Sequence, residues 1–153
     1  QMCIRDRAHI PMDTELWSFT GKYKHGDSFI DISGGIHVEQ GGFFTGSLSY
    51  QDLNERFDVT GIFGDSLQLC TIQSIPSLSL PLFIDSHAES TRSNKKRQYS
   101  GWVLPIPENI ALINNNIDDL TFRYCASRIV HYMHNTSEGR KSRMRLDLNL
   151  EKI

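Results

Sequence analysis

The chain has 153 residues, 39% of them hydrophobic, and a formal net charge of −2 at pH 7. That length holds one domain with a sizeable core and is short for two. The near-neutral charge gives no general electrostatic reason to expect nucleic acid or an anionic membrane as partner. The longest apolar run, Ile75 to Ile84, is broken by Pro76, Ser77, Ser79 and Pro81, which excludes it as a membrane-spanning helix.

Gln1 to Arg7 (QMCIRDR) resembles translated adapter sequence of the kind found at the ends of assembled environmental sequences. Residues 1–11 are therefore expected to be non-native or disordered, with a single domain over 12–153. Met12 is the expected start, which would make the protein cytoplasmic; a leader lost upstream is the alternative. With Cys3 set aside, Cys70 and Cys125 stand 55 positions apart and fit no zinc or redox spacing. Two independent thiols are the first expectation and a disulfide the second.

From Trp17 to Phe63 short alternating runs are punctuated by glycine. A strand at about Glu15 to Lys24 carries Trp17, Phe19, Gly21 and Tyr23 on one parity and Ser18, Thr20, Lys22 and Lys24 on the other. A turn at His25-Gly26-Asp27 leads to Ser28 to Ser33, and Ile36 to Gln40 reads as a third piece or an extension of that strand. Phe44, Gly46, Leu48 and Tyr50 repeat the pattern within Phe43 to Tyr50, as do Phe57, Val59, Gly61 and Phe63 within Arg56 to Phe63, after a turn at Gln51 to Asn54. Each run offers one apolar and one wet face. Glycine inside the apolar parity, at Gly21, Gly46 and Gly61, marks sharp bends or close backbone approach, which predicts a curved sheet and a closed barrel.

Ser66 to Gln73 is a further strand, and Ser74 to Ile84 a proline-marked edge strand or loop. Asp85 to Gln98, the most polar stretch, reads as a long exposed loop; its Arg92, Lys95, Lys96 and Arg97 are expected to be solvated, a nucleic-acid contact lacking interleaved aromatic residues. Tyr99 to Leu104 and Ile110 to Ile113 resume strand, and Asn114 to Asn116 is a turn. Leu120, Phe122 and Tyr124 alternate with Thr121 and Arg123, which suggests another strand. Ala126 to His134 is ambiguous between strand and helix, and Asn135 to Lys141 reads as a polar loop. Met144, Leu146, Leu148 and Leu150 give the cleanest alternation. The expectation is an all-β chain with little helix, folded as one antiparallel up-and-down barrel of about eight to ten strands.

Chemistry-bearing motifs are sparse. His131 and His134 form HxxH, which on a helix shares one face but supplies too few ligands for zinc. No nucleophile-elbow, zincin, P-loop or dinucleotide fingerprint is present. Asp27, Asp31, Glu39, Asp52, Asp85 and Asp147 are scattered. Asn135-Thr136-Ser137 is a glycosylation sequon, relevant only to an exported eukaryotic protein. No catalytic group, metal or cofactor is assigned.

Thr20-Gly21-Lys22-Tyr23 resembles the first-strand TG(K/T)W of the avidin and streptavidin group of calycin-like barrels. Gly26 and Phe29-Ile30 fall where its turn enters strand two, Thr45-Gly46 resembles its third-strand TG, Arg56 to Gly61 its RYVLTG, and Tyr99-Ser100-Gly101 its WSGQ. The resemblance covers Phe19 to Phe63 and thins beyond. It implies a barrel that holds a small ligand inside. The family's asparagine and serine contacts to the biotin ureido group would fall on His25 and Asp27, and its third-strand tyrosine and serine on Leu48 and Tyr50. Only Tyr99 substitutes for its tryptophan wall. Wrong donors leave buried polar groups unpaired, so tight biotin binding is not expected.

The resulting expectation is a non-catalytic binding module for a small apolar or amphipathic ligand. Tyr23, Leu48, Tyr50, Phe57 and Tyr99 would line its cavity, with His25 and Asp27 at the mouth. No nucleic acid or membrane is expected as partner, and a homo-oligomer is compatible with the reading. The alternatives are a barrel enzyme of the allene-oxide-cyclase or dirigent kind, and a structural or interaction protein with a filled barrel.

Overall fold

The computed structural model describes residues 14–50, 55–76, 78–110 and 117–153. The start, Cys3, Met12, the turn at Gln51 to Asn54 and the asparagine cluster at Asn114 to Asn116 lie outside the described residues. Eight strands follow in order: β1 (Glu15–His25), β2 (Ser28–Val38), β3 (Phe43–Tyr50), β4 (Arg56–Phe63), β5 (Ser66–Thr71), β6 (Leu82–Ser93), β7 (Lys96–Pro105) and β8 (Met144–Lys152). Each pairs antiparallel with the next, and β8 closes on β1, with Trp17 opposite Lys152 and Tyr23 opposite Leu146. The fold is a closed up-and-down barrel. Ile36 to Val38 proves to be the end of β2.

Side-chain parity decides what fills it. Trp17, Phe19, Tyr23, Ile32, Ile36, Leu48, Leu69, Ile84, Val103, Leu146 and Leu148 belong to one core, each no more than 4% exposed. At Gly46 a Cβ would fall on the Gly35 carbonyl oxygen, and at Gly61 on the Gln68 carbonyl oxygen. The strands coil so tightly there that backbone occupies the place of a side chain, which is how the barrel closes.

Four expectations need correction. Asp85 to Gln98 is not a loop but most of the β6–β7 hairpin, in register from Leu82–Pro105 to Ser93–Lys96 apart from two irregularities. Its polarity does not prevent a ladder, because backbone groups make the strand pairing, and Asp85 and Ser86 within it are buried. Leu120 to Tyr124 is not a strand but part of helix α1 (Asp119–Asn135), and Asn135 to Lys141 is no loop, because α2 (Ser137–Ser142) begins within it. Ile110 ends a 3-10 turn, Glu108–Ile110, rather than starting a strand.

Helix α1 starts where the Asp118 side chain accepts from the Thr121 amide at 2.8 Å. Its buried positions are Phe122, Cys125, Ala126, Ile129 and Met133, a stripe of helical period. Phe122, Ala126, Ile129 and Met133 pack on Cys70, Phe83, Leu104 and Ile106, which point out of the barrel wall. Phe122, Ile129 and Met133 each contribute about 2 kcal/mol through lost apolar contact with water. Cys70 and Cys125 are both free thiols, and burial pushes the Cys70 thiol far up.

At Gly139 a Cβ would fall on the Tyr132 carbonyl oxygen, so α2 folds back closely on α1. That corner returns the chain to the barrel rim at β8. No helix is long and apolar enough to cross a membrane among the described residues.

Candidate functional site

The five expected cavity residues all face inward and are buried in the barrel core. Tyr23 and Tyr50 meet through their hydroxyls at 3.2 Å, and the Tyr50 ring lies 6.0 Å from that of Phe57 between centroids. Leu48 stands opposite Phe57 in the ladder. Tyr99 turns the other way, its hydroxyl donating to the Gly64 carbonyl at 2.6 Å in the β4–β5 turn. His25 and Asp27 are exposed at the β1–β2 turn, on the rim nearest the tyrosine pair. Tyr23, Leu48, Tyr50 and Phe57 thus form one group, with His25 and Asp27 beyond it and Tyr99 apart.

Two hydroxyls that meet only each other hold two protons but use one. The second finds no acceptor among the described residues. Burial pushes both phenols up, and Tyr50 further through its bond to Tyr23.

At the opposite end lies a group that parity along β7 should have revealed. Arg97 shares the inward face of Tyr99 and Val103. Its guanidinium carbon lies 4.7 Å from the Phe63 ring centroid and 5.4 Å from that of Trp17. One amino nitrogen reaches the Tyr99 hydroxyl at 3.4 Å, while the buried Nε has no partner among the described residues. The Trp17 indole donates to Glu15 at 2.9 Å, and this bond is the first cause holding the Glu15 carboxyl below its ordinary range. Treating Arg97 as one cation of a solvated loop missed this inward placement.

A second arrangement stands on the rim by His25. Asp85, 4% exposed, points out of the wall beneath the end of α1, accepting from Gln68 at 3.3 Å and meeting His134 Nε2 at 2.8 Å. Arg143 donates to the other ring nitrogen, so Nδ1 is the acceptor, Nε2 carries the proton, and the imidazole is neutral. Both ring nitrogens are committed within the protein; His134 positions Arg143. His131 bonds Asn135 instead, so the HxxH pair does not converge on one point. Among the described residues no three His, Cys, Asp or Glu side chains gather as metal ligands would.

Beyond Arg143 opens a hollow of about 450 Å³, with Lys24, His25, Trp102, Lys141, Arg143 and Arg145 in its wall together with Leu78, Pro105 and Met144. The guanidinium carbons of Arg143 and Arg145 lie 3.9 and 4.8 Å from the Trp102 ring centroid.

The fold defines the class: a closed, eight-stranded antiparallel barrel with one helix docked outside, compatible with a calycin-like barrel. No family model, no curated protein and no solved structure matches the chain.

Proposed function

We propose that the chain is a non-catalytic binding module that takes a small amphipathic ligand into the His25 end of the barrel. The observation that carries this reading is the Tyr23–Tyr50 hydroxyl pair, a polar handle with a spare proton among the apolar side chains Leu48 and Phe57. Ligand-binding barrels combine an apolar lining with a few placed polar groups, and a ligand carbonyl or hydroxyl would accept that proton. The avidin-like pattern of Phe19 to Phe63 supports the reading at the level of architecture. Its departures at His25, Asp27, Leu48 and Tyr50 argue against biotin.

The test is native mass spectrometry of protein purified without detergent, beside the Tyr23→Phe/Tyr50→Phe double variant. A co-purified mass on the wild type, absent from a variant that still folds, is the expected result. A bare wild-type mass, or a ligand retained equally by both proteins, would overturn the reading.

A further inference from the structure

The hollow at Trp102 is unlike the rest of the surface in its charge. Three other hollows on the barrel each carry a carboxylate in their wall: Glu151 in one, Asp31 and Asp147 in the second, and Asp58 in the third. In the Trp102 hollow, Lys24, Lys141, Arg143 and Arg145 line one concavity together with His25 and without a carboxylate. None of the four cations ion-pairs with a described residue. The carboxylates nearest in sequence do not line it: Asp27 lies in the β1–β2 turn, Glu138 in the first turn of α2, and Asp147 two residues past Arg145. Asp85 is taken by His134 and Gln68. In a chain of net charge −2, such clustering is not a compositional accident of a basic protein.

The two arginines are also held in place. Stacking on an aromatic face fixes a guanidinium plane and leaves its N–H edge open to an anion. Trp102 does this for Arg143 and Arg145 together. Arg143 is fixed again by the chain from buried Asp85 through neutral His134. The Gly139 corner brings Lys141 and Ser142 to the same rim. Like charges crowded this way repel unless something negative lies between them.

We infer that this hollow is a binding site for a phosphate-type oxyanion, gripped by Arg143 and Arg145 from the Trp102 side and by Lys24 and Lys141 across the rim. Four cations, from β1, α2, β8 and the joint between α2 and β8, line one hollow. That suits a multiply charged tetrahedral anion better than a single carboxylate, which one guanidinium fork would satisfy. The inference does not rest on the interior tyrosines. Leu78, Pro105 and Met144 in the same wall leave room for an apolar body attached to the anion, so free phosphate and the head group of a small amphiphile share this chemistry.

The experiment is a titration of the full chain with inorganic phosphate, followed by amide and indole nitrogen–proton NMR, against chloride at matched ionic strength. Saturable shifts are expected at the Trp102 indole and the Lys141 to Arg145 amides. Arg145→Gln, an exposed position, is expected to weaken binding about 10-fold, and Lys141→Gln combined with it further still. Lys96→Gln, at the far end of the barrel, serves as the control and should bind as wild type does. Hexyl phosphate assigns the source: tighter binding than inorganic phosphate marks an amphiphile head group, and equal binding marks a free oxyanion. Shifts reproduced by chloride, or undiminished affinity in the folded Arg145→Gln/Lys141→Gln variant, would overturn the site.

Discussion

His134 Nε2 lies 2.8 Å from the Asp85 carboxylate, tying the last turn of α1 to the outer wall of β6. Asp85 is almost fully buried and His134 only partly so. The bond therefore closes the wet edge of an otherwise apolar helix–barrel seam. A lone buried carboxylate is costly to leave without donors, and here Gln68 supplies one and His134 the other.

Removing the ring is accordingly expected to hurt more than its exposure suggests. His134→Ala should cost about 2 kcal/mol, since it strips one donor from Asp85 and releases Arg143. The His134→Ala/Asp85→Ala double variant should cost less than the two single changes added together. Urea denaturation of the four proteins measures the coupling. Strict additivity would reduce the contact to an incidental one.

The interior glycines make a sharper comparison. Gly61→Ala drives a methyl into the Gln68 carbonyl and the Phe44 ring, whereas Gly64→Ala, three residues on in the turn, meets nothing within 4 Å. The first should cost about 3 kcal/mol, the upper end for overpacking, and the second should fall within about 0.5 kcal/mol of wild type. Thermal melts followed by circular dichroism would show it. Equal melting temperatures would mean that the strands do not coil as tightly as the carbonyl contact requires.

These positions also show what was legible beforehand. Alternation at Trp17, Phe19 and Tyr23 or at Leu146, Leu148 and Leu150 reports a strand directly, because each residue has one inside and one outside. The same rule misled at Leu120, Phe122 and Tyr124. Leu120 and Tyr124 are 79% and 67% exposed on α1 while Phe122 is fully buried, so their spacing of two was coincidence. The stripe through Ala126, Ile129 and Met133 was the stronger signal, but it emerges only over a window longer than one strand. The polarity of Asp85 to Gln98 hid a hairpin because a ladder is satisfied by backbone, whatever its outer side chains. The hollow at Trp102 was beyond reach. Lys24, Trp102, Lys141 and Arg145 come from three distant parts of the chain, and only the pairing of β8 with both β7 and β1, with α2 just before it, brings them together.

The buried phenols give a pH dependence with a definite sign. Burial raises Tyr23, Tyr50 and Tyr99 in the folded protein above the unfolded value of about 10. Below about pH 10 folded and unfolded chains both hold these protons, and the contribution to stability is whole. Above it the unfolded chain ionises first, so stability falls as pH rises, by at most about 1.4 kcal/mol per tyrosine per unit. Absorbance at 295 nm should show these three hydroxyls ionising at higher pH in native protein than once guanidinium unfolds it. Native protein whose five tyrosines all titrate near 10 would contradict their burial.

Arg97 separates packing from charge at the other end of the barrel. Its attraction to the Trp17 and Phe63 faces is worth about 1 kcal/mol, while its buried Nε gives up water and gains no acceptor among the described residues. The two effects oppose each other. Arg97→Met, which fills the same space without charge, is expected within about 1 kcal/mol of wild type. Arg97→Lys should lose about 1 kcal/mol, because an ammonium can neither spread a planar face against the two rings nor keep the fork that reaches Tyr99. Arg97→Ala should lose about 2 to 3 kcal/mol through the space it empties. Chemical denaturation of the three variants tests this order. Should Met prove as damaging as Ala, charge rather than filling would be what Arg97 contributes, and the unpartnered Nε would then need an acceptor that the folded chain gains from outside.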